Sequence, residues 1–141
     1  MSEDIPTNRK RMAIILHSGA YDRACYALCL AQAALASGME VHMLLTFEGL
    51  RRFTKDHLAE IGEETPATVR PYVVQGLDTG AIVPLEEQVA EAKKMGLRIY
   101  ACPNAMASLS IALRDLQGID EVMGLVAFLS LASTADVNWY I

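Results

Sequence analysis

The chain has 141 residues, a formal net charge of −5, and 52% hydrophobic against 21% charged residues. That length suits a single domain with its own core, and the acidic balance argues against nucleic-acid binding, which needs basic excess to neutralise phosphates. No stretch approaches the roughly 20 apolar residues of a membrane span. Met1 to Thr7 is polar and acidic, so no secretory signal is expected. Three cysteines without such a signal then point to free thiols in a cytoplasmic protein.

A polar tail over residues 1–10 ends in the basic cluster Arg9-Lys10-Arg11, and the domain is expected to fill residues 11–141. Met12 to His17 is an apolar run of strand length, suited to burial on both faces. Ser18-Gly19 breaks it, a helix follows from Asp22 to Ser37 with Gly38 as its stop, and Glu40 to Thr46 forms a second strand. Short connections make this a right-handed βαβ unit. The helix is apolar nearly all round, which predicts one face on the sheet and another on a second subunit.

Gly49 to His57 reads as a short charged helix, and Gly62 to Gly80, with Pro66, Pro71 and Gly76, as a long loop. Pro84 to Met95 is a helix with early glutamates and late lysines, matching the helix dipole. A third strand spans Leu97 to Ala101, and a helix runs from beyond Cys102 to Gln117-Gly118. Ile119 to Met123 is too short to assign. An apolar helix from Leu125 to Thr134 and a strand from Asp136 to Ile141 close the chain. The alternation predicts a three-layer α/β/α sandwich with a mainly parallel sheet of four or five strands.

Ligands of open parallel sheets bind beyond the carboxyl ends of the strands, and His17 and Cys102 occupy two such ends. Pro103 suits the first position of a helix, which makes Cys102 its N-cap. Free N–H groups and the positive end of the helix dipole then favour a thiolate, the nucleophilic form of cysteine. The plainer reading of Cys102 is a small apolar residue ending a strand. His17 is either a group that orients or deprotonates the thiol or a hydrogen-bonded residue at a strand end. Ser18-Gly19 can offer N–H groups to an anion. Cys25 and Cys29, four apart on a helix, cannot easily join in a disulfide. They read as buried structural thiols, with Cys25 the candidate to resolve chemistry at Cys102. His42 and His57 carry no spacing that suggests metal, and neither a dinucleotide fingerprint nor a phosphate loop is present. No metal and no cofactor is called for.

The opening Met12-Ala-Ile-Ile-Leu-His-Ser-Gly-Ala-Tyr-Asp, the run from Ala33 to Leu50, the segment Ala92 to Cys102 and the close Asp136-Val-Asn-Trp-Tyr-Ile141 together resemble the DsrE/DsrF-like family of small sulfur-relay proteins. The resemblance implies a five-stranded α/β/α domain that forms homo-oligomers, trimers or multiples of them. It also implies a cysteine that takes sulfane sulfur as a persulfide or thiosulfonate and relays it to a partner thiol. Cys102 is the position that looks like that cysteine. The implied strand order makes Thr46, Phe47 and Glu48 nearer neighbours of Cys102 than His17 is.

The expected function is therefore that of a sulfur carrier, working with donor and acceptor proteins rather than turning over alone. Its catalytic residue is Cys102, and His17, Ser18 and Gly19 border the substrate, as do Phe47, Glu48, Pro103 and Asn104. The alternative is a non-catalytic assembly module of the same fold that binds a small ligand or nucleotide at the strand ends.

Overall fold

A computed structural model describes residues 9–141, so most of the tail read over residues 1–10 lies outside the described residues. Five strands form one sheet: β1 (Arg11–Leu16), β2 (Glu40–Leu45), β3 (Arg98–Ala101), β4 (Glu121–Val122) and β5 (Val137–Tyr140). Their order is β4-β3-β2-β1-β5, and every neighbouring pair is parallel. Burial on both faces is why β1 and β2 are almost continuously apolar. Both strands stop one residue before their predicted ends, which leaves His17 and Thr46 just beyond the regular strands.

The order of the strands assigns the helices to faces. From β1 to β4 the chain steps one way across the sheet, and right-handed crossovers place α1 (Tyr21–Ala36) and α4 (Leu85–Lys94) together on one face. The return from β4 to β5 crosses the whole sheet and carries α6 (Leu125–Ala132) over the opposite face. Ala24, Ala27, Leu28, Ala31 and Ala34 of α1 are buried, small residues that let the helix lie close to the strands. Within the chain α1 also packs along α4, and Tyr26 on α1 stays exposed. Exposed apolar surface lies on α6 too, where Phe128 is buried while Leu125, Val126 and Leu129 face outward.

Two expectations are corrected. The predicted loop over 62–80 contains α3 (Arg70–Thr79). Pro71 stands in its first turn, where a missing N–H costs nothing, and Gly80 takes φ 82° to end it, so the residues read as breakers are its boundaries. The helix following Cys102 is shorter than predicted: α5 covers Pro103–Leu109. Ser110 turns to φ 54° and the Ile111 N–H reaches back to the Met106 carbonyl at 2.9 Å, which closes the helix. A 3₁₀ turn, Leu113–Asp115, and an antiparallel bridge from Leu116 to Thr54 replace the predicted last turns.

The remaining helix, α2 (Phe47–Arg52), sits directly on the carboxyl ends of β1 and β2. It can do so because two glycines meet there. A Cβ on Gly49 would fall 2.1 Å from the Leu16 carbonyl oxygen, and one on Gly19 would fall 2.7 Å from the Glu48 carbonyl oxygen. Backbone cannot yield at such distances as a flexible side chain does. Gly49→Ala is expected to lower stability by about 2 kcal/mol or more, read as a fall in the urea midpoint without a change in slope.

Candidate functional site

The ladder bonds continue one step beyond the regular strands and bring four strand ends level. Cys102 N–H donates to the Leu45 carbonyl at 3.2 Å, Thr46 N–H to Leu16 at 3.0 Å, and Met123 N–H to Ala101 at 3.0 Å. On the far side His17 N–H donates to the Ile141 carbonyl at 2.7 Å. Leu45 pairs with Ala101 and Leu16 with Leu45, so Thr46 falls beside Cys102 and His17 beside Thr46. With strands about 4.8 Å apart, Cys102 and His17 are roughly 10 Å from each other and Thr46 stands between them.

Cys102 and Thr46 both keep extended backbone, at φ −77° and −128° respectively. Alternation therefore turns both side chains to the face that carries His42 and Tyr100. That is the face under α6, since the Tyr100 ring lies 6.3 Å from the Phe128 ring. Cys102 is buried, 3% exposed. Pro103 opens α5 as expected, and the Met106 N–H donates to the Cys102 carbonyl at 3.0 Å. The amides of Asn104 and Ala105, in the first turn, have no carbonyl of their own helix to meet. Pro103 and Asn104 are exposed and form the rim.

The other predicted residues divide into two groups. His17 is exposed and its ring joins those of Phe47, at 5.6 Å, and Tyr140, at 6.1 Å. Phe47 takes φ 42°, an uncommon conformation for a bulky residue, where the chain turns from β2 into α2. Ser18 and Gly19 are occupied structurally: the Ser18 hydroxyl accepts the Ala20 N–H at 3.1 Å, and the Gly19 carbonyl accepts Arg52 Nε–H at 2.9 Å. Glu48 pairs with Arg51 at 3.3 Å on the surface of α2.

Two buried polar features escaped the sequence reading. Arg52 is fully buried and donates to the carbonyls of Gly19, His57 (2.8 Å), Glu60 and Ile61 (2.8 Å), with the Glu64 carboxylate at 3.3 Å and the Tyr21 ring beneath it. Burial works against its charge and lowers its pKa, which Glu64 partly opposes. Across the strands, His42 Nδ1 meets the Tyr100 hydroxyl at 2.7 Å while Nε2 meets Glu40 at 2.5 Å. The His42 hydrogen bond holds the Glu40 carboxyl below its usual range.

Residues 8–75 match the DsrE/DsrF/DrsH-like family. The match takes in 68 of the 141 residues, all in the first part of the chain. It is similar to the uncharacterized protein YrkE of Bacillus subtilis, at 25% identity over 155 aligned residues that cover 94% of this chain and 97% of that protein. In fold it resembles MTH1491 of Methanobacterium thermoautotrophicum, a protein of unknown function, with a TM-score of 0.63 and 14% identity. It likewise resembles the ychN protein of E. coli, with a TM-score of 0.59 and 13% identity. Each comparison covers 94% of this chain and 99% of the other. Among the described residues no helix is long and apolar enough to cross a membrane.

The three cysteines are free and differently placed. Cys25 and Cys29 lie on α1, away from the α6 face, and share the Gln88 amide of α4: its Nε2 approaches Cys25 Sγ at 3.4 Å and its Oε1 approaches Cys29 Sγ at 3.8 Å. Burial pushes the Cys25 thiol up to about 11. At neutral pH only about one Cys25 in ten thousand is then a thiolate. Iodoacetamide at pH 7.5 is expected to label exposed Cys29 at least tenfold faster than Cys25, whose labelling climbs only as pH approaches 11. Equal labelling at neutral pH, read by peptide mass mapping, would contradict this.

Proposed function

We propose that the protein is a sulfur carrier that accepts sulfane sulfur on Cys102 and hands it to a partner thiol. The observation that carries this reading is the position of Cys102: at the carboxyl end of an inner strand, beside the open first turn of α5, in a chain whose residues 8–75 match the DsrE/DsrF/DrsH-like family. The Cys102 thiolate attacks the outer sulfur of a persulfide or polysulfide donor. A new S–S bond forms at Cys102, the donor's S–S bond breaks, and its electron pair leaves on the donor's thiolate. With tetrathionate the same attack leaves a thiosulfonate on Cys102 and expels thiosulfate. An acceptor thiolate then attacks the transferable sulfur, and Cys102 departs as thiolate. Sulfur keeps its oxidation state through the exchange with a persulfide donor, so no external oxidant is needed.

The buried thiol suits slender donors, and delivery to a protein acceptor requires the cover over the strand ends to part. His17 and Phe47 at the mouth and Pro103 and Asn104 on the rim are the residues such a partner would meet first. Free cysteines fit a reducing, cytoplasmic setting. The exposed Leu125, Val126 and Leu129 of α6, with Trp139 and Tyr140 of β5, favour assembly of several copies, as the proposed oligomer requires.

Intact mass spectrometry after incubation with tetrathionate or polysulfide tests the reading. On a background lacking Cys25 and the exposed Cys29, the protein is expected to gain a reducible sulfur adduct that the further change Cys102→Ser abolishes. An unmodified protein on that background, or an equal adduct after Cys102→Ser, would overturn it.

A further inference from the structure

The hydroxyl of Thr46 is buried with no hydrogen-bond partner. The residue as a whole is 7% exposed, and although Thr46 caps α2 its side chain makes no capping bond. Threonine at such a position normally satisfies a first-turn amide, and a buried hydroxyl left unpaired is costly. Its place in the ladder supplies a reason. Thr46 is level with Cys102 on the adjoining strand, about 4.8 Å away, with its side chain on the same face.

We propose that Thr46 is the hydrogen-bond donor to the sulfur anion carried by Cys102. Resting on the carrier reading of Cys102, this assigns a further residue to that site. A persulfide lengthens the cysteine side chain by one S–S bond of about 2 Å. In that form the charged sulfur lies on the terminal atom and comes within reach of a hydroxyl that has nothing else to bond. The proton stays on the Thr46 oxygen throughout, so the exchange remains balanced as written above. Hydrogen bonds to the charged form favour that form, which holds the persulfide anion once Cys102 is loaded.

The surrounding charges leave this part of the site to Thr46. α5 and α6 contain no titratable residue. On the strands, His17 is one place further from Cys102, Tyr100 and its partner Glu121 lie two residues back along the face with the Tyr100 hydroxyl engaged by His42, and His42 itself lies nearer the amino ends. Glu48 and Arg51 on α2 pair with each other, and Tyr140 on β5 stands beyond His17.

Two measurements on wild type, Thr46→Val and Thr46→Ser separate this assignment from the carrier reading. The first is the pH dependence of persulfide alkylation on polysulfide-loaded protein, read as the Cys102 peptide that keeps the extra sulfur. Thr46→Val is expected to raise the midpoint by about one pH unit, a tenfold loss of persulfide anion at a given pH, while Thr46→Ser keeps the wild-type midpoint. Thr46→Val should melt no lower than wild type, because the hydroxyl it removes has no partner in the resting protein. An unchanged midpoint in Thr46→Val overturns the role of Thr46. The second is the sulfur adduct on wild type: its absence overturns the carrier reading and this assignment with it, whereas its presence with an unchanged midpoint in Thr46→Val overturns the assignment alone.

Discussion

The parallel ladder between β1, β2 and β3 is the constraint on which everything else at the site rests. Parallel pairing with every strand buried permits one register, since a slip of one residue would exchange the α1–α4 face with the α6 face. That register carries Cys102, Thr46 and His17 to one level on one face. Remove the pairing of Cys102 with Leu45 and the cysteine loses both its depth and its neighbour. The sheet acts here as a ruler that decides which side chains adjoin the sulfur.

A second device holds the upper edge of that ruler. Arg52 is a full positive charge in the interior, and such a group persists only when its donors are met. Its guanidinium gathers carbonyls from Gly19 and from the segment after α2, with Glu64 supplying the countercharge. The result ties the β1–α1 turn to residues 57–64 from inside. Gly19 and Gly49 complete the arrangement by allowing α2 to press on the strand ends. Ser18 and Gly19, which look from the sequence like an anion-binding turn, are used for this construction.

Much of the architecture was legible because buried parallel strands and amphipathic helices leave strong periodic signals. β1, α1, β2, α4 and β3 are found within one or two residues of where hydropathy places them. α3 was hidden because Pro71 and Gly80 punctuate a helix at its ends as readily as they break one. The early end of α5 had no warning, since Ser110 adopts a left-handed conformation that its identity does not advertise. At the site, the strand-to-proline step made Cys102 visible. Thr46 acquires meaning only through the register, which local sequence does not contain. Arg52 reads as one more charge in a charged segment until tertiary structure closes around it. The general lesson is physical: periodicity reports which face is buried, whereas adjacency across strands is a property of the assembled sheet.

The account turns on one claim, that Cys102 holds a transferable sulfane sulfur. Cyanolysis reads that sulfur directly, because cyanide removes a sulfane sulfur as thiocyanate and leaves an ordinary thiol or disulfide without that product. Protein loaded with polysulfide and then desalted is expected to release about one thiocyanate per chain from wild type and from a variant lacking Cys25 and Cys29. Cys102→Ser is expected to release none. Equal release from Cys102→Ser and wild type would contradict the account and move the chemistry to the thiols of α1.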